Sequence, residues 1–210
     1  MVCWAAVGPA EGASPTTTLP AAASQESSFT VSASDLGDFG ASPPKIESPS
    51  AIVINQTTGK VLYERNADVQ RPMASTTKIM TGILVLEQMD LGEEVVVSVE
   101  AAMTSDEHPW LREGDVLTVE EMLYALMVRS CNPAAVALAE ACAGSLDAFV
   151  EEMNEKAAEL GMDDTHFIHP SGLDRNGHYS TAADMAVLAR YAMRNETFRE
   201  LVSTEKHTIE

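Results

Sequence analysis

Residues 75–89 carry Ile79, Leu84, Val85, Leu86 and Met89 and are apolar around most of the circumference that a helix would present. A helix of that kind has no face to give to water, so it has to lie in the middle of a domain. Ala51-Ile52-Val53-Ile54-Asn55 and Val61-Leu62-Tyr63-Glu64 are β-rich runs separated by Gln56-Thr57-Thr58-Gly59-Lys60, which predicts a hairpin with Gly59 at the turn and the start of a sheet. Residues 94–98 read as a short strand, and Thr118-Val119-Glu120-Glu121 is a capping box ahead of a helical run over 122–128. Asn132 followed by Pro133 predicts an N-cap and first helical position for a helix over 134–143. Ser145 can cap a helix over 146–160 that Gly161 ends, and Thr181-Ala182-Ala183-Asp184 opens another running to about Arg194.

Length and composition set outer bounds. With 210 residues, 45 % of them hydrophobic and 21 % charged, the chain has room for one good-sized domain and a tail. Thirteen basic against 32 acidic side chains give a net charge of −19, which repels nucleic acid and anionic headgroups, so neither is an expected ligand. Cys3, Cys131 and Cys142 are odd in number and lack paired spacing, so they predict neither a disulfide framework nor a zinc ribbon. Residues 1–10, MVCWAAVGPA, read either as the remnant of a secretory signal without its basic n-region or as a slightly apolar terminus. Residues 11–50, rich in Ala, Ser, Thr and Pro, read as a disordered linker, leaving 51–210 as the ordered part. No stretch reaches the roughly 18 apolar residues of a membrane span.

A long loop over residues 163–180 separates the last two predicted helices, and long ordered loops are often functional. It contains His166-x-x-His169, but Pro170 and Gly172 break the regular scaffold that zinc pairs usually need. Asp174-Arg175-Asn176-Gly177 does not follow the calcium-loop pattern, whose glycine falls later. No metal or other cofactor is expected.

The chemistry-bearing pattern is Ser75-Thr76-Thr77-Lys78 at the start of the apolar helix. Residues three apart share a helix face, so the Lys78 amine can reach the Ser75 hydroxyl and take its proton. The positive end of the helix dipole disfavours a cation in the first turn, so Lys78 sits against local preference. That field and burial both lower a lysine's pKa, and a general base has to be neutral. Taken singly, the motif is better explained by Ser75 as an N-cap and Lys78 as the first exposed basic residue, and S-x-x-K recurs by chance. The second pattern is Arg129-Ser130-Cys131-Asn132-Pro133, a short connection between two helices from which Ser130 and Asn132 can both face a cleft. Capping alone also accounts for Asn132.

S-x-x-K followed by S-x-N is shared by penicillin-binding proteins and class A β-lactamases, which carry a later Lys-Thr-Gly. The stretches AIVINQTTGKVLYERNAD, RPMASTTKIMTG, SCNPAAVALAE, HPSGLDRNGHYSTAADMAVLARYA and FRELVST resemble the low-molecular-weight serine-type D-alanyl-D-alanine carboxypeptidases over residues 51–210. The resemblance implies an α/β (α+β) fold of the β-lactamase/DD-peptidase kind, a helix-rich domain packed on an antiparallel sheet whose C-terminal strands are missing here. It implies Ser75 as acyl-forming nucleophile, Lys78 as its base, Ser130 as proton relay to the leaving amine, and Asn132 as the amide that holds the substrate backbone. It further implies peptidoglycan stem peptides as substrate, β-lactams as covalent inhibitors and an extracytoplasmic location, with membrane association only through missing segments.

Two departures from the family pattern stand out. Pro133 follows Asn132 where Asp is common, and no Lys-Thr-Gly occurs after Asn132. The 210-residue product is therefore expected to be unstable or inactive alone, and a version extended through the missing motif to be active. Two other readings remain open at this level: a class A β-lactamase-like hydrolase, for which no carboxylate in a Glu-x-x-x-Asn setting is well placed, and a non-catalytic peptidoglycan-binding module.

Overall fold

The computed structural model describes residues 45–106, 110–173 and 176–209, and the backbone of residues 2–7. Most of the expected linker, residues 11–44, lies outside the described residues. The predicted hairpin is present: β2 (Ser50–Asn55) and β3 (Val61–Arg65) pair antiparallel, with Ala51 opposite Arg65 and a register shift between Val53 and Ile54. Gly59 adopts φ 75° at the turn, a conformation glycine reaches without strain. The Arg190 guanidinium packs on Gly59 and donates to the Gln56 carbonyl at 2.9 Å, tying the turn to the helical layer. On its other edge β2 pairs antiparallel with β1 (Val2–Val7), with Val2 opposite Asn55, giving the order β1-β2-β3.

The apolar segment is the central helix that the sequence predicts, entered differently. Ala74–Thr77 form a 3₁₀ turn, and α1 (Lys78–Gln88) begins only at the lysine. Met80, Thr81, Gly82, Ile83, Leu84 and Val85 are all buried. The remaining helices include α2 (Val99–Met103), α3 (Val119–Arg129), α4 (Asn132–Ala143) and α5 (Leu146–Glu159). They continue with α6 (Ala182–Ala192) and α7 (Glu196–Ser203). α1 is packed by α3, α4, α5, α6 and α7, which explains why a helix without a polar face is stable there. The main core joins Met80, Ile83 and Val85 to Leu123 and Leu126 of α3, Leu138 of α4, Phe149 and Met153 of α5, and Phe198 and Leu201 of α7. α4 is buried along Pro133 to Ala139, its alanines allowing close approach of its neighbours. A smaller core of Ile52, Ile54, Ala67, Ala182 and Ala186 fixes α6 against the sheet.

Local signals hold where they are strong. Thr118 and Glu121 make both halves of the capping box, Ser145 accepts from the Ala148 N–H, and Thr181 accepts from the Asp184 N–H. The short strand is β4 (Glu94–Val96), whose partner β5 (Val116–Thr118) the sequence reading lacked, as it lacked α2 and α7. Among the described residues no single helix is long and apolar enough to cross a membrane.

Candidate functional site

The site is built where the 3₁₀ turn, the α3–α4 connection and the long loop meet. Ala74 takes φ 47°, a left-handed conformation that costs a residue with a Cβ on the order of 1–2 kcal/mol. The turn it starts leaves Ser75 exposed and sends Lys78, 2 % exposed, into the interior. Ser75 is therefore not a helix cap, since no side chain caps α1.

Three oxygens surround the Lys78 amine. Nζ lies 2.7 Å from Asn132 Oδ1, 2.8 Å from the Ser171 carbonyl and 3.1 Å from Ser75 Oγ. Burial lowers the Lys78 pKa to about 8, opposed by the negative charge of Asp106 and by a smaller contribution from Cys131. Burial also raises the Cys131 thiol, so that residue is uncharged at neutral pH and Asp106 is the effective opposing charge.

The donor inventory decides what the neutral amine can do. Asn132 Oδ1 and the Ser171 carbonyl can only accept, so they take the two amine hydrogens. The lone pair is then directed to the remaining neighbour, Ser75 Oγ, whose hydroxyl donates to it. In the ammonium form the third N–H donates to Ser75 instead. One arrangement thus accommodates both states of a proton moving between the two side chains.

Asn132 is not an N-cap. It is the first residue of α4, and its amide is turned inward: Oδ1 faces Lys78 while Nδ2 donates to the Ser105 carbonyl at 2.8 Å. Its backbone N–H donates to Asp106 Oδ2 at 2.8 Å, so the segment after α2 holds it at both ends. The amide keeps a second N–H and a second lone pair, enough to grip another amide. Ser130 sits at the end of α3 with φ 59° and is exposed. Among the described residues its hydroxyl makes no hydrogen bond to Ser75, Lys78 or Asn132. The turn thus brings Asn132 onto Lys78 and leaves Ser130 at the surface beside it.

The long loop supplies what the sequence reading did not assign. Pro170 accepts from the buried Thr81 hydroxyl at 2.7 Å, Ser171 from Lys78, and Gly172 packs its backbone directly on the Ala74 carbonyl. A Cβ at Gly172 would overlap that carbonyl and lie 2.7 Å from Thr77 Oγ1. His178 is buried within 2.8 Å of Thr77 Oγ1. The other two histidines diverge: His166 Nδ1 faces the Gly177 carbonyl at 2.8 Å, and His169 Nδ1 faces Ser171 Oγ at 2.7 Å. The sequence signals for this wall were the length of the loop, its break at Pro170 and Gly172, and the stretch from His169 onward that resembles the family, none of which assigned a role to Ser171, Gly172 or His178.

Comparison with known proteins identifies the family and the fold. DacF, a D-alanyl-D-alanine carboxypeptidase of Bacillus subtilis, is 41 % identical over 163 residues, covering 75 % of this chain and 42 % of its own length. A D-alanyl-D-alanine carboxypeptidase of Streptomyces sp. strain K15 is 35 % identical over 192 residues, covering 82 % of this chain and 65 % of its own. The chain thus spans roughly two fifths to two thirds of these relatives. Penicillin binding protein 6B of Escherichia coli superposes with a TM-score of 0.75 at 35 % identity, over 82 % of this chain and 58 % of that one. The fold is accordingly that of the DD-peptidases and penicillin-binding proteins, as expected from the sequence. Residues 38–210 match the D-alanyl-D-alanine carboxypeptidase family, peptidase family S11, and the chain belongs to it.

Proposed function

We propose that this chain belongs to the catalytic domain of a serine D-alanyl-D-alanine carboxypeptidase that acts on peptidoglycan stem peptides. Ser75 Oγ attacks the carbonyl carbon of the penultimate D-alanine, and its proton passes to the neutral Lys78 amine. As the C–N bond breaks, a proton returns through the Ser130 hydroxyl to the leaving D-alanine nitrogen. Water then hydrolyses the ester on Ser75. Asn132 holds the substrate backbone with the donor and acceptor that Lys78 and Ser105 leave over. The observation that carries this reading is the Lys78 amine, whose two hydrogens are taken by Asn132 and Ser171 so that its lone pair faces Ser75 at 3.1 Å. β-Lactams acylate the same hydroxyl, and the working location is extracytoplasmic, where cell-wall peptides are found.

The assembled Ser75–Lys78–Asn132 cluster supports acylation of Ser75 by a β-lactam. Prolonged incubation with a fluorescent penicillin is expected to give a slow, stoichiometric adduct that peptide mapping locates on Ser75, with none in Ser75→Ala. Labelling that survives Ser75→Ala, or its absence from the wild-type chain, overturns the nucleophile assignment. Rapid multiple turnover of the penicillin would favour a β-lactamase over a peptidase.

A further inference from the structure

The residues that precede Ser75 and Lys78, Ala74 and Thr77, are joined to the long loop by a line of hydrogen bonds that has only one consistent direction. The Ile168 backbone N–H donates to His178 Nδ1 at 3.1 Å. Nδ1 therefore carries no hydrogen, and the ring is neutral with its proton on Nε2. The Thr77 hydroxyl spends its single hydrogen on the Ala74 carbonyl at 2.8 Å, an acceptor only. Thr77 Oγ1 must then accept at its 2.8 Å contact with His178, from Nε2–H. The line runs from the loop backbone through His178 and Thr77 to the carbonyl of the residue before Ser75.

What it ends on is the strained point of the site. Ala74, at φ 47°, would relax to an ordinary conformation unless its surroundings held it. Its carbonyl is fixed by Thr77 and covered by the backbone of Gly172, which at φ 81° has no Cβ to obstruct the approach. Thr77 is fully buried and immediately precedes Lys78. Movement of this line displaces both members of the pair, and a displacement near 1 Å in a reacting pair can cost about a hundredfold in rate.

We propose that His178 is a positioning residue for Ser75: as a neutral imidazole protonated on Nε2 it holds Thr77, and through it the Ala74 carbonyl, so that the Ser75 hydroxyl stays against the Lys78 amine. This rests on Ser75 being the nucleophile. His178 itself touches no reacting atom; it acts through Thr77.

Two measurements on the full chain test it. Proton–nitrogen correlation spectra of the histidine rings at neutral pH are expected to show His178 with a protonated Nε2 and a bare Nδ1. A ring protonated on Nδ1, or on both nitrogens, overturns the proposal whether or not the chain acylates. The second measurement is the rate constant for Ser75 labelling by a fluorescent penicillin, separated from its non-covalent dissociation constant. His178→Ala and Thr77→Val are expected to lower the rate constant about 10- to 100-fold with the dissociation constant within about threefold. His178→Gln, whose amide offers one acceptor and one donor, and Thr77→Ser are expected to recover most of that loss. Wild-type rates in His178→Ala, or failure of both conservative variants with circular dichroism unchanged, overturn the proposal. If His178→Ala does not fold, Thr77→Val and the ring tautomer decide it. Failure of the wild-type chain to label at Ser75 instead strikes the nucleophile reading, which the ring spectrum does not depend on.

Discussion

Lys78 reports the logic of the site through its titration. Burial places its pKa at about 8 against an unperturbed 10.5, so it gives up its proton within reach of physiological pH. Only the neutral form can accept from Ser75, so the labelling rate should rise about tenfold per pH unit below pH 8 and level off above it. A flat profile between pH 6 and 8 would show that Lys78 is not the base. Gly172 is the second residue whose surroundings fix its identity, because it combines φ 81° with backbone contact against Ala74. Gly172→Ala should cost at least about 2 kcal/mol in urea unfolding, since neither the carbonyl it meets nor its own backbone can yield without disturbing the turn. A loss under about 0.5 kcal/mol would mean that the turn is softer than it looks. Neither effect is legible from Ser75 and Lys78 alone. Three-residue spacing predicts that the pair can meet, whereas the acceptors that orient the amine, Asn132 and Ser171, lie 54 and 93 residues away in the chain.

Elements whose ends carry strong local chemistry form where the sequence predicts them. The hairpin turn at Gly59, the box at Thr118 and the caps at Ser145 and Thr181 all concern bonds spanning a few residues, so tertiary context has little to override. Thr118→Ala should cost about 1 kcal/mol, with a range of roughly 0.5–2, because it removes the acceptor for the Glu121 N–H. An unchanged midpoint in urea at constant slope would show that α3 is held by packing alone. Elements that depend on a distant partner were not legible. β5 is three residues long and has meaning only as the partner of β4, and α7 is carried by Phe198 and Leu201 inserting against α1 and α3. Asn132 is the instructive miss: Asn before Pro is a strong cap signal, but here the amide gains more from Lys78 and Ser105 than from capping.

At the scale of the whole molecule, a net charge of −19 is set against a compact helical core. Self-repulsion of this size opposes compaction and is screened by salt, with a Debye length near 10 Å at 0.1 M. Raising NaCl from 20 to 300 mM should stabilise the chain by about 1 kcal/mol, or raise Tm by about 2–4 °C; a fall in Tm would mean that attractive surface pairs dominate. The sequence by itself determined that residues 75–89 form a central helix, that a hairpin begins a sheet beside it, and that a hydroxyl and an amine stand one turn apart at the helix entrance. These follow from periodicity and short-range bonding, which are written in neighbouring residues. Only the tertiary structure decided which way the lysine's lone pair points, that Asn132 turns inward while Ser130 stays at the surface, and that the loop carrying Gly172 and His178 walls the site. Each of those depends on which distant oxygen, nitrogen or backbone comes within about 3 Å, and that is settled by packing rather than by spacing along the chain.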